Sequence, residues 1–327
     1  MEQRDLGTTG LRVSALGFGC GAVGGLMVRG EPAEQVRAVA RALEAGITYF
    51  DTAPSYGDGL SEQALGRALR ELNAWGRVVV GTKVRLDTDD LNDPVAAIRT
   101  SIEDSLRRLG HDSVDLVQLH NHVVLGHDAG RSVRLDDARR GVAEGLARVV
   151  ESGLARHAGF TGLGEAAALR ELVSHGRFET VQAYFNALNP SAGYAGTSGG
   201  GQDFAGLIDT AAAAGLGVLV IRPFAAGALT GSTTRAAAAG SPGVPLVGGG
   251  EYDLDLERAR RLAPLAGELD LEGPLELGLR FALAKRGVSA VLVGYSDLAQ
   301  LESAIRWADR GPLPETAVRQ VLETAPS

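Results

Sequence analysis

Seven glycines constrain this chain more than any other feature of its sequence. Gly46, Gly76, Gly110, Gly153, Gly176, Gly215 and Gly287 each fall where an amphipathic stretch stops and a short apolar run begins. The residue that ends a helix is often left-handed, a conformation glycine adopts at least cost. The amphipathic stretches before these glycines predict helices over 32–44, 61–72, 94–109, 135–151, 165–174, 204–213 and 275–285. The apolar runs predict strands over 15–18, 47–50, 78–81, 114–119, 155–160, 180–182, 217–221 and 290–293. Most of these runs are continuously apolar, as in parallel strands covered on both faces. Seven helix-to-strand turns number eight strands. A hairpin is predicted ahead of them, 4–6 with 11–14, around Gly7-Thr8-Thr9-Gly10.

The other connections are unlike these short turns. The segments 121–134, 189–203 and 230–252 are long and rich in Gly, Ser and Ala. Short turns at one end and long loops at the C-terminal strand ends are the asymmetry of a (β/α)8 TIM barrel, whose chemistry sits on the long-loop face. A doubly wound open sheet is the structural rival. A chain of 327 residues fits a single barrel domain, 1–327.

Composition removes other classes. The net charge is −8 with no block of like charge, which argues against a nucleic-acid partner. The single cysteine, Cys20, makes no internal disulfide and completes no cysteine zinc site, which suits a reducing compartment. With no apolar leader and no membrane-length apolar run, the expectation is a cytoplasmic protein without a membrane partner. The partner expected is a small molecule, and oligomeric state is not legible.

The chain writes arginine almost everywhere and has only two lysines, Lys83 and Lys285. Lys285 reads as a surface residue. Lys83 ends the third strand, Asp51 the second and His120 the fourth, so a barrel brings all three to one mouth. Tyr56 lies five residues beyond Asp51, in a loop bracketed by Pro54 and Gly57. A phenol with a pKa of roughly 10 is a poor acid at neutral pH unless a cation favours its anion. Lys83 can supply that cation, Asp51 can keep the lysine charged, and His120 can orient a carbonyl oxygen or relay a proton. The set suits proton transfer to or from an oxygen.

Gly19-Cys20-Gly21-Ala22-Val23-Gly24 matches a dinucleotide phosphate loop, but Gly25, Gly30 and Pro32 postpone the helix that such a loop must open. A metal-dependent hydrolase using His120, His122 and Asp51 lacks an adequate ligand cluster.

The stretches GITYFDTAPSYGDGLSEQALGRAL, VVVGTK and DLVQLH resemble the aldo-keto reductase superfamily, and the likeness runs over essentially the whole chain. The resemblance implies that Asp51, Tyr56, Lys83 and His120 form a catalytic tetrad, with Tyr56 as general acid in reduction and general base in oxidation. It implies hydride transfer between a nicotinamide cofactor and an aldehyde, ketone, sugar or alcohol. Cofactor contacts are implied at Gly21, at Thr161 and Gln182 for the nicotinamide carboxamide, and at Ile221, where an aromatic often stacks. Further contacts are implied at Pro223, Phe224, Ala225, Gly227 and Leu229 around the pyrophosphate, and at Gly294, Ser296 and Gln300 around the adenosine ribose. NADP(H), the family's usual cofactor, is the one the resemblance leads us to expect, with NAD(H) as its competitor. No basic residue stands beside Ser296, and Asp297 would repel a 2′-phosphate, so NAD(H) competes unless Arg222 or Arg306 compensates. The alternative within the same fold is a non-catalytic nicotinamide-binding regulatory subunit. Tyr194, Phe204 and Tyr252 are candidate walls of the substrate pocket.

Overall fold

The computed structural model describes residues 1–126, 132–197, 201–242 and 252–324, so parts of the three long loops lie outside the described residues. Eight parallel strands close into a barrel: β3 (Leu16–Gly19), β4 (Tyr49–Asp51), β5 (Val79–Val84), β6 (Val114–Leu119), β9 (Ala155–Gly162), β10 (Thr180–Tyr184), β11 (Gly217–Ile221) and β12 (Val288–Gly294). The ring closes where β12 pairs with β3, Val291 against Leu16 and Gly294 against Gly19. The predicted hairpin is β1 (Gln3–Asp5) with β2 (Arg12–Ser14). It plugs the N-terminal end of the barrel, where Leu6, Leu11 and Val13 join Tyr49, Leu116, Leu219 and Ala290 in a small core separate from the main one. A second short pair, β7 (His122–Val124) with β8 (Ser132–Arg134), lies in the long loop after β6.

The outer helices include α1 (Leu26–Arg29), α2 (Pro32–Glu44), α3 (Leu60–Glu71) and α4 (Pro94–Leu109). The predicted helix over 135–151 forms with a π-helical stretch at its centre, between α5 (Leu135–Asp137) and α6 (Ala143–Glu151). Next come α7 (Ala166–Ser174), α8 (Leu207–Ala213), α9 (Tyr252–Glu268), α10 (Pro274–Ala284), α11 (Leu298–Asp309) and α12 (Glu315–Thr324). Their apolar faces cover the strands in one continuous main core. Among the described residues no helix is long and apolar enough to cross a membrane.

Six of the seven marker glycines are left-handed, from Gly110 at φ 65° to Gly287 at φ 87°. Gly76 is the exception, because it sits inside a 3-10 turn, Trp75–Arg77. The left-handed residue after α3 is Asn73, at φ 48°.

Candidate active site

Asp51, the last residue of β4, is 4% exposed at the top of the barrel. Lys83 lies in the fully buried strand β5. Its Nζ donates to Asp51 Oδ2 at 2.5 Å and to the Thr52 carbonyl at 2.8 Å. The other carboxylate oxygen accepts from Gln182 Nε2 at 2.6 Å.

Tyr56 reaches this pair because its loop turns sharply. Gly57, Asp58 and Gly59 are all left-handed, at φ 62°, 51° and 89°, and the Tyr56 N–H closes a turn on the Ala53 carbonyl. The ring lands with its centroid 4.7 Å from Lys83 Nζ. Gly21 faces it across the cleft, where a methyl would stand in ordinary contact at 3.8 Å. His120 follows β6, tied by its N–H to the Val84 carbonyl, and its ring meets that of Tyr56 edge-on at 5.9 Å between centroids.

The ionisation states follow from these surroundings. Burial pushes the Tyr56 phenol above its ordinary pKa; the Lys83 charge opposes this without cancelling it. Lys83 favours the phenolate as its position suggested, but desolvation outweighs it in the free protein, and Tyr56 is a phenol at neutral pH. Burial disfavours the Lys83 ammonium, but the Asp51 charge, together with Tyr56 and the hydrogen bonds to both, more than offsets it and leaves the pKa above its ordinary value. His120 is held well below the usual imidazole range by burial and by Lys83 and Arg85, so its ring is neutral.

The residues implied by sequence separate into two groups. Asp51, Tyr56 and His120 line one open cleft of about 1110 Å³ together with Gly21, Thr161, Gln182, Ile221, Pro223, Phe224, Gly227, Gly294, Ser296 and Gln300. Lys83 stands behind Tyr56 rather than on the wall. Ala225 and Leu229 do not reach the cleft: they are core residues at 4% and 0% exposure, turned inward by the irregular left-handed run through Ala226 and Gly227. Of the three aromatic candidates, only Tyr252 lines the wall. Tyr194 packs on Phe185 and Phe281, and Phe204 stacks on Tyr184. Lys285 sits half-buried at the surface: with 10% of its side chain exposed, it pairs with the exposed Asp209 and covers the Tyr194 ring.

His120 and His122 both line the cleft, as alternate residues of an extended segment do. Asn121 between them is not on the cleft wall; its side-chain amide accepts from the Leu86 N–H and donates to the Leu86 carbonyl. Among the described residues no three His, Cys, Asp or Glu side chains are grouped to hold a metal ion.

The glycine-rich first loop has a packing role. A methyl on Gly24 would overlap the Tyr295 backbone, and one on Gly25 would overlap the Ala238 carbonyl. The segment 232–242 thereby crosses the cleft and clasps the first loop. Gly240 N–H donates to the Val23 carbonyl at 3.0 Å, and Arg29 donates to the carbonyls of Ala238 and Ala22. Arg29, Arg85 and Arg235 line the cleft and were not marked by the sequence reading.

The model of the aldo/keto reductase family matches residues 15–325. The chain belongs to this family. The aldo/keto reductase is 28% identical over 309 residues to L-galactose dehydrogenase of Arabidopsis thaliana, covering 93% of this chain and 87% of the relative. A shorter match, 38% over 136 residues, reaches D-threo-aldose 1-dehydrogenase of a Pseudomonas species, covering 34% of this chain and 41% of that one. Among solved structures, the holo form of an aldo-keto reductase from Bacillus halodurans superposes with a TM-score of 0.74 at 25% identity, covering 99% of this chain and 96% of that one. The reductase is thus an oxidoreductase of this family on a closed eight-stranded barrel.

Proposed function

We propose that this aldo/keto reductase, acting as a single barrel domain of residues 1–327, interconverts a carbonyl compound and its alcohol with a nicotinamide dinucleotide, using Tyr56 as proton donor and acceptor. The observation that carries this reading is the buried run Asp51–Lys83–Tyr56, with His120 on the ring edge, all at one cleft. The cleft also fits a dinucleotide: it is long enough at about 1110 Å³, glycines narrow one wall, and the left-handed run Ala225–Gly227 forms the kind of backbone turn that cradles phosphate. Gln182, Thr161 and Ile221 would hold the nicotinamide end. Gly294, Ser296 and Gln300 would hold the adenosine end.

Bound nicotinamide supplies the hydride in reduction and accepts it in oxidation. In reduction Tyr56 Oη would give its proton to the carbonyl oxygen. The phenolate left behind is stabilised by the Lys83 ammonium, which Asp51 keeps charged. The neutral His120 ring donates or accepts one hydrogen bond at the same oxygen. In the alcohol direction every transfer reverses.

The adenosine end favours NAD(H) over the family's usual NADP(H). Asp297 caps α11, accepting from the Gln300 N–H at 2.8 Å, and lines this end of the cleft. Arg306 does not compensate, because Glu272 takes its guanidinium at 2.8 Å. Fluorescence titration should give tighter binding of NADH than of NADPH; tighter NADPH binding overturns this preference. The sugar and aldose dehydrogenase names among the relatives make sugars and short aldehydes the first substrates to test.

The reaction itself is tested by Tyr56→Phe, which should lose turnover by at least about 10³-fold with dinucleotide affinity nearly unchanged. Full activity in that variant defeats the assignment. One partial relative is named as a probable potassium-channel β subunit of Oryza sativa subsp. japonica, 35% identical over 125 residues, 37% of this chain and of that protein. Feeble turnover across a carbonyl panel, followed at 340 nm, would favour a regulatory role.

A further inference from the structure

Among the described residues the cleft is lined by four arginines and two histidines against two carboxylates, Asp51 and Asp297, in a chain whose net charge is −8. Most of these charges are committed. Asp51 holds Lys83. Arg29 clasps the Ala238 and Ala22 carbonyls. Arg235 donates to the carbonyls of Gly240 and Ala226 and to Tyr252 Oη, and Arg85 is not free either.

Arg222 differs from all of them. It follows β11 in a left-handed conformation, φ 57°, which a residue with a β-carbon adopts only at a cost. Its carbonyl is pinned from both sides, accepting from Asn186 Nδ2 at 3.1 Å and from the Ala225 N–H at 2.9 Å. The guanidinium is partly buried on the cleft wall. Its one hydrogen bond, to the Pro242 carbonyl, is long at 3.5 Å, and no carboxylate among the described residues lies within ion-pair distance. Burial already pulls its pKa below the ordinary guanidinium value, and the nearest groups able to offset this are the phenols of Tyr184 and Tyr56. The fold thus strains its backbone to hold a partly buried cation, without a counter-ion among the described residues, within electrostatic reach of the phenol that faces the reacting oxygen. A ligand anion is the partner such a group lacks.

We propose that Arg222 binds an anionic group, carboxylate or phosphate, on the substrate that reacts at Tyr56, and that the reductase therefore selects acidic carbonyl compounds, or the acidic alcohols they form, over neutral ones. The inference rests on the reading of Tyr56 given above. It differs from a role on the dinucleotide's own pyrophosphate, which would weaken cofactor binding for every substrate alike.

Two matched pairs test it: 4-oxobutanoate against butanal for the carboxylate, and glyceraldehyde 3-phosphate against glyceraldehyde for the phosphate. In the unmodified enzyme the acidic member should have the higher kcat/KM in at least one pair. Arg222→Met should lower that value by about 30-fold and change the neutral member less than about threefold. Arg222→Lys should fall between, since an ammonium keeps the charge without the fork. Calorimetry with unreactive succinate or inorganic phosphate, in the presence of dinucleotide, should show binding that Arg222→Met loses and Tyr56→Phe retains. That readout separates the two readings: failure of all carbonyl turnover sinks the reductase chemistry, whereas anion binding tests Arg222 alone. Equal losses on neutral and acidic substrates, loss of dinucleotide affinity in Arg222→Met, or unchanged anion binding in that variant would each overturn the proposal.

Discussion

Gln182 donates its side-chain amide to Asp51 Oδ1, on the far side of the carboxylate from Lys83, so that both oxygens of Asp51 are engaged. The resemblance assigns Gln182 to the nicotinamide; in the structure its NH2 is turned to the carboxylate, and its carbonyl faces Thr161 Oγ1 at 3.5 Å. The charge that keeps Lys83 protonated is thereby fixed in place. Asp51→Asn removes that charge and keeps the shape. Burial then acts on the lysine without its largest counterweight, and its pKa falls. We expect a turnover loss of about 10–100-fold that deepens above pH 8, measured as a pH–rate profile shifted to the acid side of the unmodified enzyme. A uniform loss with an unshifted profile contradicts this.

The two directions of reaction should respond oppositely to alkali. Burial keeps Tyr56 protonated beyond its ordinary pKa, so carbonyl reduction should hold steady through neutral pH and decline only as the phenol ionises. Alcohol oxidation needs the phenolate and should climb over the same range. His120 is already neutral above the acid range, so neither profile should inflect between pH 6 and 8 on its account. An inflection there that His120→Asn abolishes would disprove this ionisation state.

A buried pair beneath the site governs stability. Glu62 is fully buried, accepting from Thr82 Oγ1 and from Arg108 Nε, each at 2.6 Å. Glu62→Ala strands the arginine and the threonine, and denaturant unfolding should show a loss of about 3 kcal/mol. Glu62→Gln keeps the shape and should lose less.

Gly25→Ala should loosen the clasp over the cleft. The residue is left-handed at φ 89°, and a methyl there meets the Ala238 carbonyl. Dinucleotide release followed by stopped-flow fluorescence should quicken by about tenfold, with affinity falling in step. Unchanged release would mean that the clasp does not gate the cleft.

The barrel was legible because its signals are local. Helix-terminating glycines and uninterrupted apolar runs report parallel strands whatever packs around them. What was missed lacked such signals. The helix α9 carries Pro264 inside it and follows a glycine-rich segment, and α11 and α12 lie beyond the last marker glycine. The site was legible where chemistry is fixed to strand ends, as for Asp51, Lys83 and His120. It was obscure where loops decide. Tyr194 and Phe204 look like pocket walls in sequence because nothing local reveals that they pack inward. Arg222 was read only as a distant compensator at the adenosine end, since its isolation from carboxylates is a property of the folded neighbourhood.

The seam between β12 and β3 has a consequence for biosynthesis. Leu16 waits for Val291, and at about 5–20 residues per second the ribosome takes roughly 15–55 s to supply the missing partner. For that interval the first strand presents an open edge, and Gly21 and Ser296, on loops either side of the seam, remain unassembled. Premature termination anywhere before β12 should therefore give an aggregation-prone fragment rather than a weakened enzyme.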